Sequence, residues 1–452
     1  MLLVAGACNS SAVVFVSDGG TAAGACGLAT PAFCEPFEGA RPGGRGGDLD
    51  ETRWSVARWG HQVQYLWERA PASTYRDGHV FPSTFCGAPF SGILPDDDFK
   101  ICDGVGVAGE HSQQLDEVFD DQGDYGVTAM RIRQPFDFTG REGTIVWDVD
   151  AKVNPLNFGH GWWFEIWITA DPAPLPHHQG SGVLSFPRQG VGFAFQFGAD
   201  CPEDATWRSG LETIFVTDGY QIVHQIPFFA LDELPQRCFV VADGVLNHFE
   251  LRLSAGRAEL WASDAGAPAS LVQRAVIAPL DLAFSRGYVH LEHGGFNAAL
   301  DGNVTPSQTF RWDNIGFDGP ILVTPRGYDV PDPGTPGQGG AAQIGWFLDG
   351  GPQAFTLHGV DLSGATSAKL GFVFDATPGV QLAYQVNGGP AHTFSYPETT
   401  AYAGQGGVHG FSVDVPLAEL SPGDNTLVFS LPAPASSHEG IGSVDLTVET
   451  QP

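Results

Sequence analysis

Three residues in the stretch 161–169 have side chains suited to sugar chemistry. If the stretch is a β-strand, successive side chains alternate between its two faces. Trp163, Glu165 and Trp167 then share one face, and apolar residues occupy the other. A flat indole ring matches the apolar face of a sugar, and a carboxylate binds hydroxyls or exchanges protons. The pattern predicts the floor of a carbohydrate cleft. The alternative is a strand covered on both faces, with Glu165 satisfied beneath a loop.

Neighbouring runs that also alternate would supply the rest of this cleft. They are 127–134, 144–150, 190–197 and 288–293. If these strands pair in register, one face collects eight residues that mix acids, bases, amides and indoles. Those predicted to bind are Trp163, Trp167, Arg131 and Gln196, and those predicted to act in catalysis, if the protein is an enzyme, are Glu165, Asp148, Glu292 and His290.

Each assignment has a structural alternative. Arg131 and Asp148 could form an ion pair with each other. His290 could be an ordinary hydrogen-bonded histidine. Trp147 and Trp312 are expected in the core, as are Phe164 and the other apolar residues of its strand face.

The composition predicts an all-β protein. Its 452 residues include 60 glycines and 33 prolines, while Phe, Val, Trp and Thr recur in short runs between turn signals. This is typical of packed antiparallel sheets. The residues of 248–254 and 257–263 predict a hairpin, and the segments 33–37 and 309–317 are expected to pair and close the first domain.

Turn-forming composition divides the chain. Residues 1–30 predict a signal remnant and tether, 31–325 a β-sandwich, and 326–340 a linker rich in Pro and Gly. Residues 341–452 hold enough short strands for a smaller accessory β-sandwich.

The cysteines indicate an oxidising compartment. Six of the seven form close pairs that predict structural disulfides: Cys26 with Cys34, Cys86 with Cys102, and Cys201 with Cys238. Cys8 follows a short apolar run and small residues, as in the lipid-attachment signal of bacterial lipoproteins. We therefore expect a secreted or cell-surface protein that contacts membrane only through this anchor; the alternative for Cys8 is a buried thiol.

The net charge of the chain limits the classes of molecule that it is expected to bind. The chain has 52 acidic and 21 basic residues, a net charge of −31. Such a surface repels phosphate backbones, so nucleic acid is not expected as a partner. Asp48 and Asp50 on a glycine-rich turn are calcium candidates, with turn hydrogen bonding as the alternative.

Three stretches resemble the concanavalin A-like lectin and glucanase superfamily, which includes laminin-G-like modules. They are His248–Trp261, Gln308–Pro320 and Phe164–Thr169, similar respectively to the ligand-bearing hairpin, the closing strand and the central cleft strand of that superfamily. The resemblance implies two curved antiparallel sheets, the jelly-roll sandwich, with a cleft on the concave one.

The resemblance also suggests what the acid does. Glucanases of family 16 carry Glu-x-Asp-x-x-Glu on the cleft strand. Glu165 fits the first position, but Trp167 and Ala170 replace the other two acids. A retaining hydrolase needs two carboxyls about 5–5.5 Å apart, so a partner such as Asp148 or Glu292 would have to come from another strand.

Three functions follow. The favoured prediction is an extracellular protein that binds polysaccharide in the cleft of the first domain. The alternatives are a polysaccharide-degrading enzyme, hydrolase before lyase, that uses Glu165, and a structural or adhesive surface protein.

Overall fold

A computed structural model of the chain describes residues 25–37, 45–60, 84–85, 88–89, 99–103, 113–120, 125–152, 162–174, 187–197, 208–217, 221–226, 239–240, 246–264, 267–296, 307–330, 346–348, 350–397, 407–433 and 439–452. In this part of the chain the structure is built from antiparallel strands with two short 3-10 helices, Ala25–Gly27 and Leu417–Glu419. The predicted all-β class is confirmed.

The first unit is a sandwich of two sheets, which we call the back sheet and the front sheet. The back-sheet strands are β1 (Pro31–Glu35), β5 (Phe99–Asp103), β6 (Gln113–Asp120), β9 (Gly143–Lys152), β15 (Asn247–Ser254), β16 (Arg257–Asp264), β17 (Ala267–Ile277) and β19 (Ser307–Asp318). The front-sheet strands are β2 (Trp54–Gly60), β7 (Tyr125–Ile132), β8 (Phe136–Asp137), β10 (Trp162–Thr169), β11 (Gly190–Phe197), β12 (Arg208–Thr217), β13 (Gln221–Ile226), β14 (Phe239–Val240) and β18 (Arg286–Phe296). A further pair is β3 (Thr84–Phe85) with β4 (Ala88–Pro89).

Strand order departs from chain order in both sheets. The back sheet runs β17-β16-β15-β9-β19-β6-β5, with β1 on β19, and the front sheet runs β13-β12-β11-β10-β18-β7-β2. The chain therefore crosses from one sheet to the other between β9 and β10. The predicted hairpin of β15 and β16 and the pairing of β1 with β19 are confirmed.

The core lies between the two sheets, as the alternation predicts. On β10, Phe164, Ile166 and Ile168 are at most 1% exposed. Trp147 and Trp312 of the back sheet are fully buried against the same cluster. Each large apolar side chain placed there stabilises the fold by about 1.5–3 kcal/mol.

The second unit is a smaller sandwich with its own core. One sheet holds β20 (Thr324–Asp329), β21 (Trp346–Phe347), β23 (Ala365–Ala376), β26 (Gly407–Asp414) and β28 (Gly440–Thr450). The other holds β22 (Gln353–Val360), β24 (Gln381–Val386), β25 (His392–Ser395) and β27 (Gly423–Ser430). β20 includes the first residues of the predicted linker 326–340, and residues 331–340 lie outside the described part of the chain.

β28 joins the two units. All eleven of its residues are buried. Val444, Leu446 and Val448 pack in the second core. The alternating polar residues Asp445 and Glu449 instead contact the front sheet of the first unit, so the two sandwiches are docked.

Three arginines of the first unit converge on this docked strand. The Asp445 carboxylate lies 3.9 Å from Arg45, 3.6 Å from Arg131 and 3.4 Å from Arg133. Arg133 also donates to Asp329 at 2.7 Å. The guanidiniums outweigh the cost of burial and lower the pKa of Asp445.

Candidate functional site

The front sheet brings most of the predicted site residues onto one outward face. Glu165 of β10 is directly opposite Glu292 of β18, and Trp167 is opposite His290. His290 is in turn opposite Arg131 of β7. The predicted grouping of these five residues is therefore what the strand register produces.

The residues of this face whose side chains the structure describes are buried, not open. Glu165, Trp167, His290 and Glu292 are 0% exposed and Arg131 is 2% exposed. The prediction of an accessible groove beside Glu165 and Trp167 is therefore wrong, and the alternative of a strand covered on both faces is what the structure shows. One cause is the second unit, because its Asp445 contacts Arg131.

Trp167 is packed flat against its own sheet. A Cβ atom on Gly192, its neighbour on β11, would lie 2.5 Å from the indole, so the ring covers the glycine. Its Nε1 donates a 2.6 Å hydrogen bond to Oε2 of Glu165. The indole N–H and one carboxylate oxygen thus satisfy each other, which leaves less of either side chain for a sugar.

His290, on the same outward face, is held in its buried position in the neutral form. His290 Nε2 lies 2.9 Å from the Thr169 hydroxyl. Burial, and then the charge of Arg131, lower the pKa of His290 well below its usual value. His290 is therefore neutral and unable to donate a proton as an imidazolium.

Asp148 is not part of this face, and its predicted pairing with Glu165 or Arg131 is wrong. It lies on β9 of the back sheet, between the buried Trp147 and Val149, and its side chain points to the opposite side of the sandwich. Arg131 pairs instead with Asp445 of the second unit. The error arose because β9 precedes β10 in the chain but lies in the other sheet.

Other predicted residues lie partly outside the described part of the chain. Trp163 and Gln196 are opposite each other on β10 and β11, but their side chains are not described. Cys8, Cys86, Cys201 and Cys238 lie outside the described residues, and the side chain of Cys102 is not described.

Of the predicted disulfides, the bridge between Cys26 and Cys34 is confirmed.

The calcium candidates Asp48 and Asp50 accept hydrogen bonds from nearby amide and hydroxyl groups. Asp48 accepts a hydrogen bond from the Ile101 amide at 3.0 Å. Asp50 accepts hydrogen bonds from the amide and the hydroxyl of Thr52. Within the described residues no three His, Cys, Asp or Glu side chains are grouped to hold a metal ion, and no described helix is long and apolar enough to cross a membrane.

The outward face of the back sheet carries a second polar cluster, which the sequence prediction missed. His248 of β15 donates from Nδ1 to Asp148 Oδ1 at 2.6 Å. Its Nε2 lies 3.7 Å from Oε1 of Glu250. Asn314 donates to the second oxygen of Asp148 at 2.7 Å, and Arg252 donates to Oε2 of Glu250 at 2.9 Å.

Electrostatics fix the charges in this cluster. Burial opposes the charge on His248, but Asp148 and Glu250 outweigh it and raise the pKa of His248 to about 9. The interaction with His248 lowers the pKa of Glu250 despite partial burial. At neutral pH the histidine is therefore a cation and Glu250 is an anion. Together with Arg252, the cluster has no net charge.

A partly open pocket of about 300 Å³ lies beside this cluster. Its floor and sides include Thr144, Val146, His248 and Glu250, and residues 26–30 also line it. Asp318 completes the lining, with its carboxylate held by Arg141 at 2.9 Å. The volume is at the lower end of the range for small-molecule sites.

An aromatic residue lies on the strand next to the pocket. Trp261 of β16 is directly opposite Glu250, and Gln273 of β17 is opposite Trp261. The guanidinium of Arg252 lies 4.6 Å from the indole centroid, and the indole N–H donates to Glu259 at 3.1 Å. Arg252 therefore holds the ring in place on the strand beside Glu250.

The sequence contained a signal for this second cluster. The alternation that places Phe249 and Leu251 in the core also puts His248, Glu250 and Arg252 on the outward face. The stretch His248–Trp261 was moreover similar to a ligand-bearing hairpin. Its outward residues could have been grouped with Asp148 if the pairing of β9 with β15 had been known.

Similarity to known proteins is found among solved structures. No protein-family model and no curated protein matches the chain. Among solved structures, a legume lectin-like domain from Entamoeba histolytica has 10% identity and a TM-score of 0.29, covering 46% of this chain and 84% of that domain. Lectin II from Ulex europaeus has 12% identity and a TM-score of 0.29, covering 47% and 88% of the two chains.

The exoplasmic domain of VIP36, in a form bound to Ca²⁺ and Man2, has 11% identity and a TM-score of 0.31, covering 54% and 88%. Matches at this level of identity and TM-score do not identify a ligand for this chain.

Proposed function

We propose that the first sandwich binds a neutral, hydroxyl-rich ligand, a polysaccharide chain, at the back-sheet pocket. The observation that carries this proposal is the gap between His248 Nε2 and Glu250 Oε1. At 3.7 Å it is too long for a direct hydrogen bond. A donor and an acceptor at this separation suit one sugar hydroxyl, which can accept from the first and donate to the second.

The charges of the pocket favour a neutral ligand. His248 and Arg252 balance Asp148 and Glu250, and Arg141 balances Asp318. The net charge of −31 on the whole chain also disfavours an acidic polysaccharide. A neutral glycan avoids both costs.

The surface beside the pocket suits a chain. Glu250, Trp261 and Gln273 follow one another across β15, β16 and β17, and β9 lies on the other side of β15. Four adjacent strands span roughly 14 Å across the sheet. A polysaccharide running perpendicular to the strands would contact the pocket with one unit and the region of Trp261 with another.

The same residues favour binding over catalysis. General acid–base catalysis is most efficient when the pKa of the group lies near the operating pH. The pKa of Glu250 is instead lowered, and that of His248 is raised to about 9. Neither group is tuned for proton transfer.

An extracellular or cell-surface location is part of the proposal. It is supported by the Cys26–Cys34 disulfide, since such bridges persist in oxidising compartments.

The test is calorimetric titration of the protein with neutral and acidic polysaccharides. We expect binding to a neutral polymer, and a Kd at least tenfold higher for Glu250→Gln and for Trp261→Ala. The control is Glu419→Gln, because Glu419 forms a similar carboxylate–histidine pair with His392 in the second unit, at 2.8 Å. Absence of binding to every polymer, or equal affinity of the pocket variants and the control, would refute the proposal.

The second candidate is glycoside hydrolysis at the front sheet, and the register of Glu165 with Glu292 favours it. Side chains directly opposite on adjacent strands have Cβ atoms about 4.5–5.5 Å apart. That spacing is close to the carboxyl separation of retaining glycosidases. The burial of both residues opposes this candidate.

Release of reducing ends from the same polysaccharides tests the second candidate. Hydrolysis abolished by both Glu165→Gln and Glu292→Gln, and kept by Glu250→Gln, would establish the front-sheet pair as the active site. Hydrolysis that survives either front-sheet variant would exclude it.

A further inference from the structure

One wall of the back-sheet pocket is a covalently closed loop. Residues 26–30 are five consecutive residues of the pocket lining. They lie within the loop that the disulfide between Cys26 and Cys34 closes. Half of the pocket's lining therefore belongs to a segment that begins at one end of the bridge.

The two ends of the bridge differ in how firmly the backbone holds them. Cys34 lies within β1 and is paired with Gly316 of β19. Arg53 also donates to its carbonyl at 2.7 Å. Cys34 is therefore fixed to the back sheet independently of the disulfide.

Cys26 has a weaker backbone attachment. It lies in a three-residue 3-10 helix with φ at 55°, a conformation that L-residues rarely adopt. The loop touches the back sheet through the side chains of Cys26 and Leu28, which lie over Gly316 of β19, and through a 3.3 Å hydrogen bond from the Gly319 amide to the Thr30 carbonyl. The covalent bond is the strongest of these attachments.

We propose that the Cys26–Cys34 bridge is a positioning element of the ligand pocket, so that its reduction weakens ligand binding while the sandwich stays folded. This inference rests on the function proposed above. Reduction by a dithiol transfers two electrons and two protons to the bridge, which becomes two thiols while the dithiol becomes a disulfide. The freed Cys26 end no longer holds the wall against the pocket.

The test compares the untreated protein with the dithiol-treated protein, using the neutral polysaccharide that the untreated protein binds. We expect at least a tenfold rise in Kd on reduction, reversed by reoxidation. The tryptophan bands of the near-UV circular dichroism, to which the buried Trp147 and Trp312 contribute, should not change. The double variant Cys26→Ser/Cys34→Ser should bind weakly with or without dithiol, which assigns the effect to this bridge and not to the other cysteines.

Hydrogen exchange of the segment 25–30 gives a readout that needs no ligand. We expect this segment to lose protection on reduction while β19 keeps it. Unchanged protection, or a reduced protein that binds as tightly as the oxidised one, would overturn the inference. If the untreated protein binds no polysaccharide, the proposed function fails, and the exchange result still decides whether the bridge holds the wall.

Discussion

The two outward faces of the first sandwich begin from the same sequence pattern and end in different environments. On each, charged and aromatic side chains alternate with core residues. On the back sheet, His248 and Asp148 remain 23% and 16% exposed and beside a pocket. On the front sheet, Glu165, Glu292 and His290 are completely buried. Polar alternation therefore indicates an outward face, but not whether solvent, ligand or another domain meets it.

The largest effect on stability is expected at the front sheet, when Asp445 is replaced. Asp445→Asn removes the carboxylate that three front-sheet-side arginines share. Because Arg131 would stay buried without its Asp445 partner, and Arg45 and Arg133 would share only Asp329, we expect a loss of about 3–5 kcal/mol in the free energy of unfolding. Denaturant titration measures it. The control Asp414→Asn breaks the exposed pair with Lys369 and should change nothing measurable; equal effects would mean that the docked interface is not as the structure has it.

The back sheet should show the stronger pH dependence. The pKa of His248 is about 9 in the folded protein and about 6.5 when unfolded. Because the folded pKa is raised, the stabilisation is complete below pH 6.5 and is lost as the pH rises through 9. The shift corresponds to about 3 kcal/mol.

Thermal melting from pH 6 to pH 10 measures this dependence. His248→Asn should flatten the profile in that window, whereas His358→Asn, which breaks an exposed pair with Asp424, should not. A wild-type profile that is already flat would contradict the charged state assigned to His248.

A smaller difference in stability is expected when one glycine of each sheet is replaced by alanine. Gly192→Ala places a methyl group 2.5 Å from the indole of Trp167 on the front sheet, and overpacking of this kind costs about 1–3 kcal/mol. Gly256→Ala, in the back-sheet hairpin turn, meets its nearest neighbour at 4.0 Å and should leave the melting temperature unchanged. If Gly192→Ala is equally silent, Trp167 is not packed against the sheet.

The sequence was sufficient for the fold class and for the inward faces. Alternation predicted the core positions of Phe164 and Trp147, and turn residues predicted the hairpin of β15 and β16. These features are local, or depend on a pattern with a period of two. The pairing register of β10 with β18 sets Glu165 opposite Glu292. This agrees with the predicted grouping of the two acids on one face.

The position and burial of the site residues depend on contacts between segments that are far apart in the sequence. Asp148 was misplaced because its strand pairs with β15, about a hundred residues away in sequence, and not with β10. The burial of Arg131 depends on Asp445, which belongs to the second unit. No periodicity within 127–134 or 161–169 could have revealed that another domain docks there.

The doubly buried β28 has a consequence for how the protein assembles. Arg45 donates to the carbonyl of Val444, 399 positions away in sequence. During synthesis, Arg45, Arg131 and Arg133 are translated long before Asp445, the acidic residue with which they pair. Contacts between such distant residues slow folding, so the nascent first sandwich has to keep these arginines hydrated until the final strand arrives and closes the assembly.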